Sequence, residues 1–437
     1  MDSLGIDIGT SSICGIRAGL DGRPGETFTL KNDSRLEGES WEDIQDPGRI
    51  MDKVLEIVGA SFRGSEGTAS IGFSGQMHGI LYVDACGRAV SPLYTWQDGR
   101  GNLPYRDGLS YAGWLSSVTG YNLSTGYGAV THFYNLVNGL VPPDACRICT
   151  IMDYAVMVLT GSSVPVTDPS NAASLGCFDL QSCRFDDGAL MKAGMDPGFF
   201  PEVSPRLRVA GHHKGVPVVT AIGDNQAAFI GAVPDQGRAI HVTVGTSSQI
   251  SVKTDSFISV PGIDTRPLPG GGYILVGAAL CGGSSLSLLN GFFGEVVSSL
   301  TGGTVPEDEI YRKMDSIPFR PCSPDGLDVK TVFRGTRQDP SCRGSIANVS
   351  MSNLTVEDLV LGFHRGIAGE LHGFYSDMPA SVREGKDILV GSGNAVRRNR
   401  LLRSALEERF GCPLTVSGCP EEAALGACIC GMAGSGL

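Results

Sequence analysis

The chain has 437 residues, with 46 acidic against 34 basic residues and a formal net charge of −12. This length exceeds what one hydrophobic core usually supports, so two domains are expected. The acidic balance disfavours a nucleic-acid-binding surface. No apolar run approaches the length of a membrane span, the first residues lack the basic start of a signal peptide, and the thirteen cysteines follow no disulfide framework. We therefore expect a cytoplasmic protein with no membrane partner.

A short glycine turn occurs twice in the chain. The tetrapeptide GTSS follows Ile8 and returns at Gly245–Ser248, about half a chain length later, each time between alternating apolar runs. This pattern predicts two hairpins in two similar domains. Such turns expose backbone N–H groups and small hydroxyls to a phosphate; the candidate residues are Gly9, Thr10, Ser11, Ser12, Gly245, Thr246 and Ser247. The alternative is that GTSS is an ordinary turn sequence repeated by chance.

The two turns differ in the residue that stands two positions before the glycine. The first has Asp7 there, and the second has Thr243. A carboxylate beside phosphates is a natural partner for Mg²⁺. Only the first turn is therefore expected to approach the metal.

Two polar clusters follow predicted strands in the first half. A buried strand, residues 69–73, ends in SGQMHG, which places Gln76 and His78 where α/β folds bind polar ligands. The sequence TWQDGR then combines Trp96, Asp98 and Arg100, a set suited to reading sugar hydroxyls. The alternatives are a loop histidine satisfied by its neighbours and a surface ion pair between Asp98 and Arg100.

The sharpest single stretch is VVTAIGDNQAAFIGAV, residues 218–233. A buried strand runs into Gly223 and a helix starts at Asp224, which would expose the Asp224 carboxylate at a strand-to-helix turn. Asp224 can also be the N-cap of that helix, since Asp is favoured there. Both roles are compatible.

Further helices are predicted over residues 47–59, 284–300, 355–375 and 394–410. Asp153 opens another helix, DYAVMVLTG, either as a site residue or as its N-cap. Glycines precede two helix starts, at Gly282-Gly283 and at Gly393 before Asn394, where a ligand can approach closely. No GxGxxG or GxxxxGK[ST] motif is present, which argues against dinucleotide-binding and P-loop proteins.

Taken in order, GIDIGTSS, GQMHG, TWQDGR, GDNQAA, VGTSS and GSGNAVRRN resemble the motifs of the FGGY carbohydrate kinases, which share the fold of actin, hexokinase and Hsp70. The resemblance covers nearly the whole chain. It implies an α/β fold of two actin/hexokinase-like (ribonuclease H-like) ATPase domains with a cleft between them, residues 1–236 and 237–437. Within the family the chain resembles sedoheptulokinases most and xylulokinases next. The usual Lys and Trp of one family signature have no counterpart near Thr131–Val137, which leaves the substrate open.

The resemblance also implies residue roles. Asp224 would be the general base, and Asp7, through water, and Asp224 would meet Mg²⁺. The implied sugar-binding residues are Gln76, Met77, His78, Trp96, Asp98, Arg100, Asp153 and Asn225. ATP would be held by the two turns together with Gly282, Gly283, Gly393 and Asn394.

The expected activity is ATP-dependent phosphorylation of the primary hydroxyl of a ketose, by a monomer or homodimer. Sedoheptulose is the expected substrate, with D-xylulose or another pentulose as the alternative. A non-catalytic sugar or nucleotide sensor and an actin-like ATPase are the rival classes.

Overall fold

The computed structural model describes residues 2–63 and 67–437. These residues form two compact units. The first contains residues 2–63, 67–231, 266–272 and 421–437, and the second contains residues 232–265 and 273–420. The division falls close to the sequence-based boundary at residue 236, but two later stretches return to the first unit.

The first unit is built around one large mixed sheet. Its strands are β1 (Asp2–Ile8), β2 (Ser12–Gly19), β3 (Pro24–Lys31), β4 (Ile44–Gln45), β5 (Thr68–Gly75), β6 (Leu81–Val83), β7 (Leu93–Tyr94), β8 (Arg147–Cys149), β9 (Val166–Thr167), β10 (Phe178–Asp179), β11 (Arg184–Phe185), β12 (Glu202–Val203), β13 (Val209–His213), β14 (Val216–Val219) and β15 (Ile222–Gly223). The main sheet has the order β13-β14-β5-β1-β2-β3, with β15 beside β5. The remaining strands of this unit form short two-stranded pairs.

The helices of this first part of the chain are α1 (Pro47–Ser61), α2 (Tyr111–Thr119), α3 (Gly128–Val137), α4 (Ile151–Thr160), α5 (Pro169–Ala172), α6 (Asp187–Lys192) and α7 (Asp224–Ala232). The predicted helix over residues 47–59 is confirmed by α1. It begins where sequence rules place it, because Asp46 accepts from the backbone N–H of Gly48 at 2.8 Å and Pro47 occupies the first turn.

The second unit repeats the plan. Its strands are β16 (Ala239–Val244), β17 (Ser248–Thr254), β18 (Asp264–Pro267), whose last two residues belong to the first unit, β19 (Tyr273–Ala279), β20 (Asp328–Lys330), β21 (Ser345–Ala347), β22 (Ile388–Ser392) and β23 (Leu414–Val416). Its helices are α8 (Gly283–Thr301), α9 (Glu307–Asp315), α10 (Val356–Asp377), α11 (Ala380–Arg383), α12 (Asn394–Arg398) and α13 (Arg400–Phe410). The sheet order is β18-β19-β17-β16-β22-β23.

The two sheets share one topology. In the first, β1 pairs antiparallel with β2 and parallel with β5, and β5 pairs parallel with β14. In the second, β16 pairs antiparallel with β17 and parallel with β22, and β22 pairs parallel with β23. Each GTSS turn joins the two antiparallel strands of its sheet, which confirms the prediction of two hairpins in two similar domains.

The last helix, α14 (Glu422–Ser435), belongs to the first unit although it ends the chain. It packs on β1 and β5 so closely that the backbone of the helix contacts the backbone of the strands. A Cβ on Gly5 would collide with the carbonyl of Ala424, and one on Gly72 with the carbonyl of Ala427. Only glycine permits this approach, so the small-residue pattern of strand and helix is a packing requirement.

Three apolar clusters form the interior of the described residues. One lies between the first sheet, α1 and α4, a second surrounds α2 and α3, and the third fills the second unit around α10 and α13. The helix predicted over residues 394–410 is divided at Asn399, whose side chain accepts from the N–H of Leu402 at 2.8 Å and caps α13. None of the helices in the described ranges combines the length and apolar character needed to cross a membrane.

Candidate active site

The backbone carbonyl groups of the first GTSS turn accept hydrogen bonds that fix the turn. The N–H of Gly9 donates to the carbonyl of Ser12 at 2.9 Å, and Asn32 donates from its amide to the Gly9 carbonyl at 2.9 Å. The side-chain amide of Gln45 donates to the carbonyl of Thr10 at 3.0 Å. Ser11 at the tip is exposed. The tip of the turn therefore faces solvent, as phosphate binding requires.

Thr10 connects this turn to the predicted sugar residues. Its hydroxyl accepts from the indole N–H of Trp96 at 3.0 Å and donates to Oε1 of Gln76 at 3.4 Å. Gln76 in turn donates to Gln45 at 2.9 Å. Trp96 remains 46% exposed, so its ring is accessible while its orientation is fixed. Gln45 was not identified from the sequence, because it stands in a two-residue strand with no motif around it.

His78 is held in a constrained position. Its φ is 73°, in the left-handed region that few non-glycine residues adopt. Nδ1 lies 2.8 Å from the carbonyl of Ser174, and a carbonyl only accepts, so Nδ1 carries the proton. The ring stacks on Tyr127, with centroids 4.5 Å apart and an interplanar angle of 20°. Strain of this kind is concentrated at functional sites.

Asp98 and Arg100 lie under the loop that carries Trp96. The guanidinium donates to Asp98 at 2.6 and 3.1 Å and to Asn135 at 2.5 Å, and it lies 4.1 Å from the centroid of Tyr94. Both side chains are at most 1% exposed. The ion pair considered as an alternative exists, but it is buried rather than on the surface. Any influence of this pair on a sugar acts through the Trp96 loop.

Asp153 is also buried, at 1% exposure. It is not the N-cap of α4. That position belongs to Thr150, which accepts from the N–H of Asp153 and donates to its carboxylate at 2.8 Å. Asn171 donates to the same carboxylate oxygen at 3.1 Å. Burial raises the pKa of Asp153 to about 7, since its hydrogen bonds offset only part of the lost hydration.

Two carboxylates stand at the carboxyl ends of β1 and β15, the parallel strands on either side of β5. Asp7 is opposite Ser74 in the β1–β5 register, and Asp224 follows β15, whose Gly223 is opposite Gly75. Ser74 donates to Asp7 at 2.7 Å. Burial raises the pKa of Asp7 to about 6, and burial followed by the charge of Asp7 raises the pKa of Asp224 to about 7. A carboxylate with a pKa near neutrality suits proton transfer at cellular pH.

The start of α7 is fixed by the segment that carries Asp168 and Ser170. Ser170 accepts from the N–H of Gly223 at 3.2 Å and donates to Asp168 at 2.6 Å. The sulfur of Met77 would be 2.8 Å from a Cβ on Gly223, so Met77 supports this turn by packing. Asn225 is half-buried beside Asp224, and its Oδ1 has no hydrogen-bond partner among the described residues. Such an acceptor is suited to a substrate hydroxyl.

In the second unit, the second GTSS turn packs on the start of α8. The N–H groups of Gly283 and Ser284 donate to the carbonyls of Gly245 and Thr246, at 2.7 and 3.1 Å. A Cβ on Gly282 would collide with the carbonyl of Ser247. Gly393 has φ 83°, and a Cβ there would lie 2.5 Å from the carbonyl of Val244. Both glycine positions are therefore required for close packing around the turn.

A cavity of about 1270 Å³ opens beside this turn. It is large enough for a nucleotide. Its lining includes Gly245, Thr246, Gly283, Ser284, Asp315, Arg334, Asn394 and Arg398. Four of the predicted nucleotide residues thus line one cavity. The sequence did not identify Asp315 or Arg334, which belong to no motif considered.

Comparison with known protein families identifies the family of the chain. Residues 3–231 match the N-terminal domain of the FGGY family of carbohydrate kinases, and residues 241–435 match its C-terminal domain. The chain belongs to this family. It is therefore an ATP-dependent sugar phosphotransferase with the two-domain FGGY fold.

Individual FGGY kinases show the extent of the likeness. The chain is 29% identical to a sedoheptulokinase of Mus musculus and 27% identical to one of Homo sapiens, each over 98% of this chain and 96% of the relative. Among solved structures, xylulose kinase from Rhodospirillum rubrum matches with a TM-score of 0.82 at 19% identity, covering 99% of this chain and 90% of that one. The structural match supports the FGGY fold, and the sequence matches support a sedoheptulokinase-like member.

The described residues of this FGGY kinase contain no group of three His, Cys, Asp or Glu side chains able to hold a metal ion. All thirteen cysteines are free thiols.

Proposed function

We propose that this kinase phosphorylates the primary hydroxyl of sedoheptulose, forming sedoheptulose 7-phosphate and ADP. The observation that carries the chemistry is the placement of Asp7 and Asp224 at the carboxyl ends of β1 and β15, on either side of β5. The two sedoheptulokinase relatives, matched over 98% of the chain, favour this substrate.

Asp224 would act as the general base. As the hydroxyl oxygen of the sugar attacks the γ-phosphorus of ATP, its proton passes to the Asp224 carboxylate and the bond from phosphorus to the ADP oxygen breaks. A pKa of about 7 lets the same group release that proton afterwards. Asn225, with its unpartnered Oδ1, would accept from a neighbouring sugar hydroxyl.

Thr10 would couple sugar binding to the position of the phosphate-binding turn. Its hydroxyl bonds to both Trp96 and Gln76, so a sugar resting on the indole and on the SGQMHG segment would immobilise the turn. Immobilised donors stabilise developing charge without reorganising. His78, with its proton on Nδ1, has Nε2 as the hydrogen-bond acceptor of its ring.

Mg²⁺ would enter with ATP, held by Asp7 with Asp224 as the second carboxylate. When bound, it neutralises charge on the phosphate oxygens. The described residues offer these two carboxylates and no three-ligand set, which fits a metal that arrives as part of the substrate.

The test is ADP release by the purified protein with Mg²⁺-ATP and sedoheptulose, D-xylulose, D-ribulose or no sugar. The proposal predicts strong stimulation by sedoheptulose alone. Stimulation by D-xylulose would keep the mechanism and change the substrate. If none of the sugars raised the rate above the sugar-free value, the proposed substrate class would be wrong.

A further inference from the structure

A chain of buried hydrogen bonds leads from the loop that carries Trp96 into helix α3. Arg100 donates from Nη1 to Oδ1 of Asn135 at 2.5 Å, and Nδ2 of Asn135 donates to the hydroxyl of Tyr82 at 3.3 Å. The Tyr82 hydroxyl lies 3.0 Å from Nδ1 of His132. These four side chains are at most 1% exposed. The chain therefore links the exposed indole of Trp96 to the interior of the first unit.

The chemistry of the groups determines the direction of each bond in this chain. A guanidinium has only N–H donors, so the atom of Asn135 that faces Arg100 is the amide oxygen. The amide NH2 group then faces Tyr82 and donates to it, which leaves the phenol proton for Nδ1 of His132. Burial lowers the pKa of His132 to about 4, so the ring is neutral and accepts this hydrogen bond. Asn135 joins the two halves of the chain, because it accepts on one side and donates on the other.

Asn135 completes the set of acceptors around the guanidinium of Arg100. Nε donates to Asp98 at 2.6 Å, and Nη2 donates to Asp98 at 3.1 Å and to Glu42 at 3.4 Å. Nη1 donates to Asn135. A buried donor that loses its acceptor costs more free energy than the hydrogen bond contributed. Removal of the Asn135 amide should therefore shift the guanidinium.

Arg100 in turn fixes the turn that presents Trp96. The N–H of Asp98 donates to the carbonyl of Thr95 at 3.1 Å, which closes a β-turn with Trp96 as its second residue. The Asp98 carboxylate accepts from both the backbone N–H and the guanidinium of Arg100. A shift of the guanidinium therefore moves one leg of this turn. The indole would then lose its alignment with Thr10, to which it donates at 3.0 Å.

We propose that Asn135 is a positioning residue for the sugar, which acts through Arg100 and Asp98 on the orientation of the Trp96 indole. Its amide is buried and contacts the guanidinium, so its effect on a substrate is indirect. This inference deepens the proposed function and rests on it, since the ligand that would meet the indole is the ketose. Loss of the amide should raise the KM for the sugar more than it lowers kcat, because other strands supply the carboxylate site.

Steady-state kinetics with the ketose that stimulates ADP release tests this role. Asn135→Leu replaces the amide by an apolar group of similar size and should raise the KM for the ketose about tenfold, the equivalent of one positioned contact, with kcat within about threefold. Asn135→Asp keeps an acceptor for Arg100, so its KM should stay within about threefold of wild type.

Asn290→Leu is the matched control. Asn290 is 2% exposed on α8 in the second unit, and its amide donates to the carbonyl of Glu307 at 3.0 Å. This variant also loses a buried amide on a helix, but no contact of Arg100, so its KM for the ketose should equal that of wild type. If Asn135→Leu also kept the wild-type KM, the proposal would be wrong.

A double-mutant cycle separates positioning from a general loss of structure. Once Trp96→Ala has removed the indole, Asn135→Leu should raise the KM by less than about twofold, because the two residues act through one contact. Independent effects would multiply instead. A full tenfold rise in the Trp96→Ala background would overturn the proposal, since an effect that does not need the indole is merely structural.

An NMR measurement needs no substrate and so distinguishes this inference from the proposed function. In protein isotope-labelled at its three tryptophans, Trp96→Phe assigns the indole N–H signal of Trp96. Asn135→Leu should shift or broaden this signal, and Asn290→Leu should leave it in place. If no ketose is phosphorylated but the signal responds in this way, the positioning of Trp96 stands and the substrate is wrong. An unchanged signal in Asn135→Leu would mean that Asn135 does not hold the indole, whatever the substrate.

Discussion

The two GTSS turns have the same sequence and the same place in their sheets, but different surroundings. In the first, Asp7 precedes the turn, and the hydroxyl of Thr10 bonds to Trp96 and Gln76. In the second, Thr243 takes the place of Asp7 and bonds to Ser392 at 2.8 Å, while the turn carbonyls accept from the start of α8. The repeated fold therefore carries the residues proposed for catalysis and sugar binding in the first unit, and a nucleotide-sized cavity in the second.

The largest expected effect is the loss of kcat on substitution of Asp224, which lies in the first unit. Asp224→Asn should lower kcat by about 10² to 10⁴, the range of general base catalysis, because the amide cannot take the hydroxyl proton. ATP affinity, measured by calorimetry, should change by less than about threefold. A variant that kept kcat within tenfold of wild type would show that another group removes the proton.

The difference between the two turns is tested by equivalent substitutions. Asp7→Asn should lower kcat about 10²-fold, because it removes the carboxylate proposed to meet the metal. Thr243→Val, at the same position of the second turn, loses hydroxyl contacts with Ser392 and with Nε2 of His241 but no charge. Its kcat should stay within about threefold.

Steady-state kinetics over a range of Mg²⁺ concentrations measures both variants. Asp7→Asn alone should require more Mg²⁺ for half-maximal rate. Equal losses in the two variants would mean that the turns share one role.

Substitutions of two glycines, Gly282 and Gly245, test the packing of the second turn on α8. Gly282→Ala places a methyl group against the carbonyl of Ser247, so the turn must shift. We expect KM for ATP to rise about tenfold and the free energy of unfolding to fall by about 1–3 kcal/mol.

Gly245→Ala is the control for this prediction, since a Cβ there would meet nothing within 4 Å. Its unfolding free energy should stay within about 0.5 kcal/mol of wild type. If both variants behaved alike in urea unfolding, the close contact at Gly282 would not be what shapes the turn.

The smallest expected effect is the pH dependence of the free energy of unfolding. The sign of this dependence differs between a buried carboxyl of the first unit and a buried imidazole of the second. Burial raises the pKa of Asp153 in the first unit to about 7, from an ordinary value of 3.8. Between these pH values the folded state holds a proton that the unfolded state has lost. The contribution of Asp153 therefore lowers the free energy of unfolding as pH rises from about 4 to 7. Burial lowers the pKa of His241 in the second unit from 6.5 to about 4. Here the unfolded state gains the proton, so stability is lost as pH falls from about 6.5 to 4.

Urea unfolding between pH 4.5 and 7 measures both slopes, each at most about 1.4 kcal/mol per pH unit. Asp153→Asn should make the slope of stability against pH more positive, and His241→Gln should make it more negative. Slopes that changed in the same direction would contradict this assignment.

Local sequence determined the elements that depend on neighbouring residues. Alternating apolar residues around glycine predicted both hairpins, and the helix predicted over residues 47–59 begins at Pro47 as expected, because turns and helix starts are decided by contacts within a few residues. The ordered motifs also identified the family. Asp7 and Asp224 were proposed as site residues from the sequence, since each stands at the end of a strand that the sequence pattern predicts.

Tertiary structure alone decided the rest. Asp98 and Arg100 follow Trp96 in one motif, yet they are buried while the indole is exposed, because Asn135 and Tyr94 from other elements surround the guanidinium. The return of α14 to the first sheet and of Pro267 to α7 depends on contacts between residues far apart in sequence, at Gly5 and Gln226. Local pattern cannot encode such pairings, because the free energy that selects them comes from burial that exists only once the chain has folded.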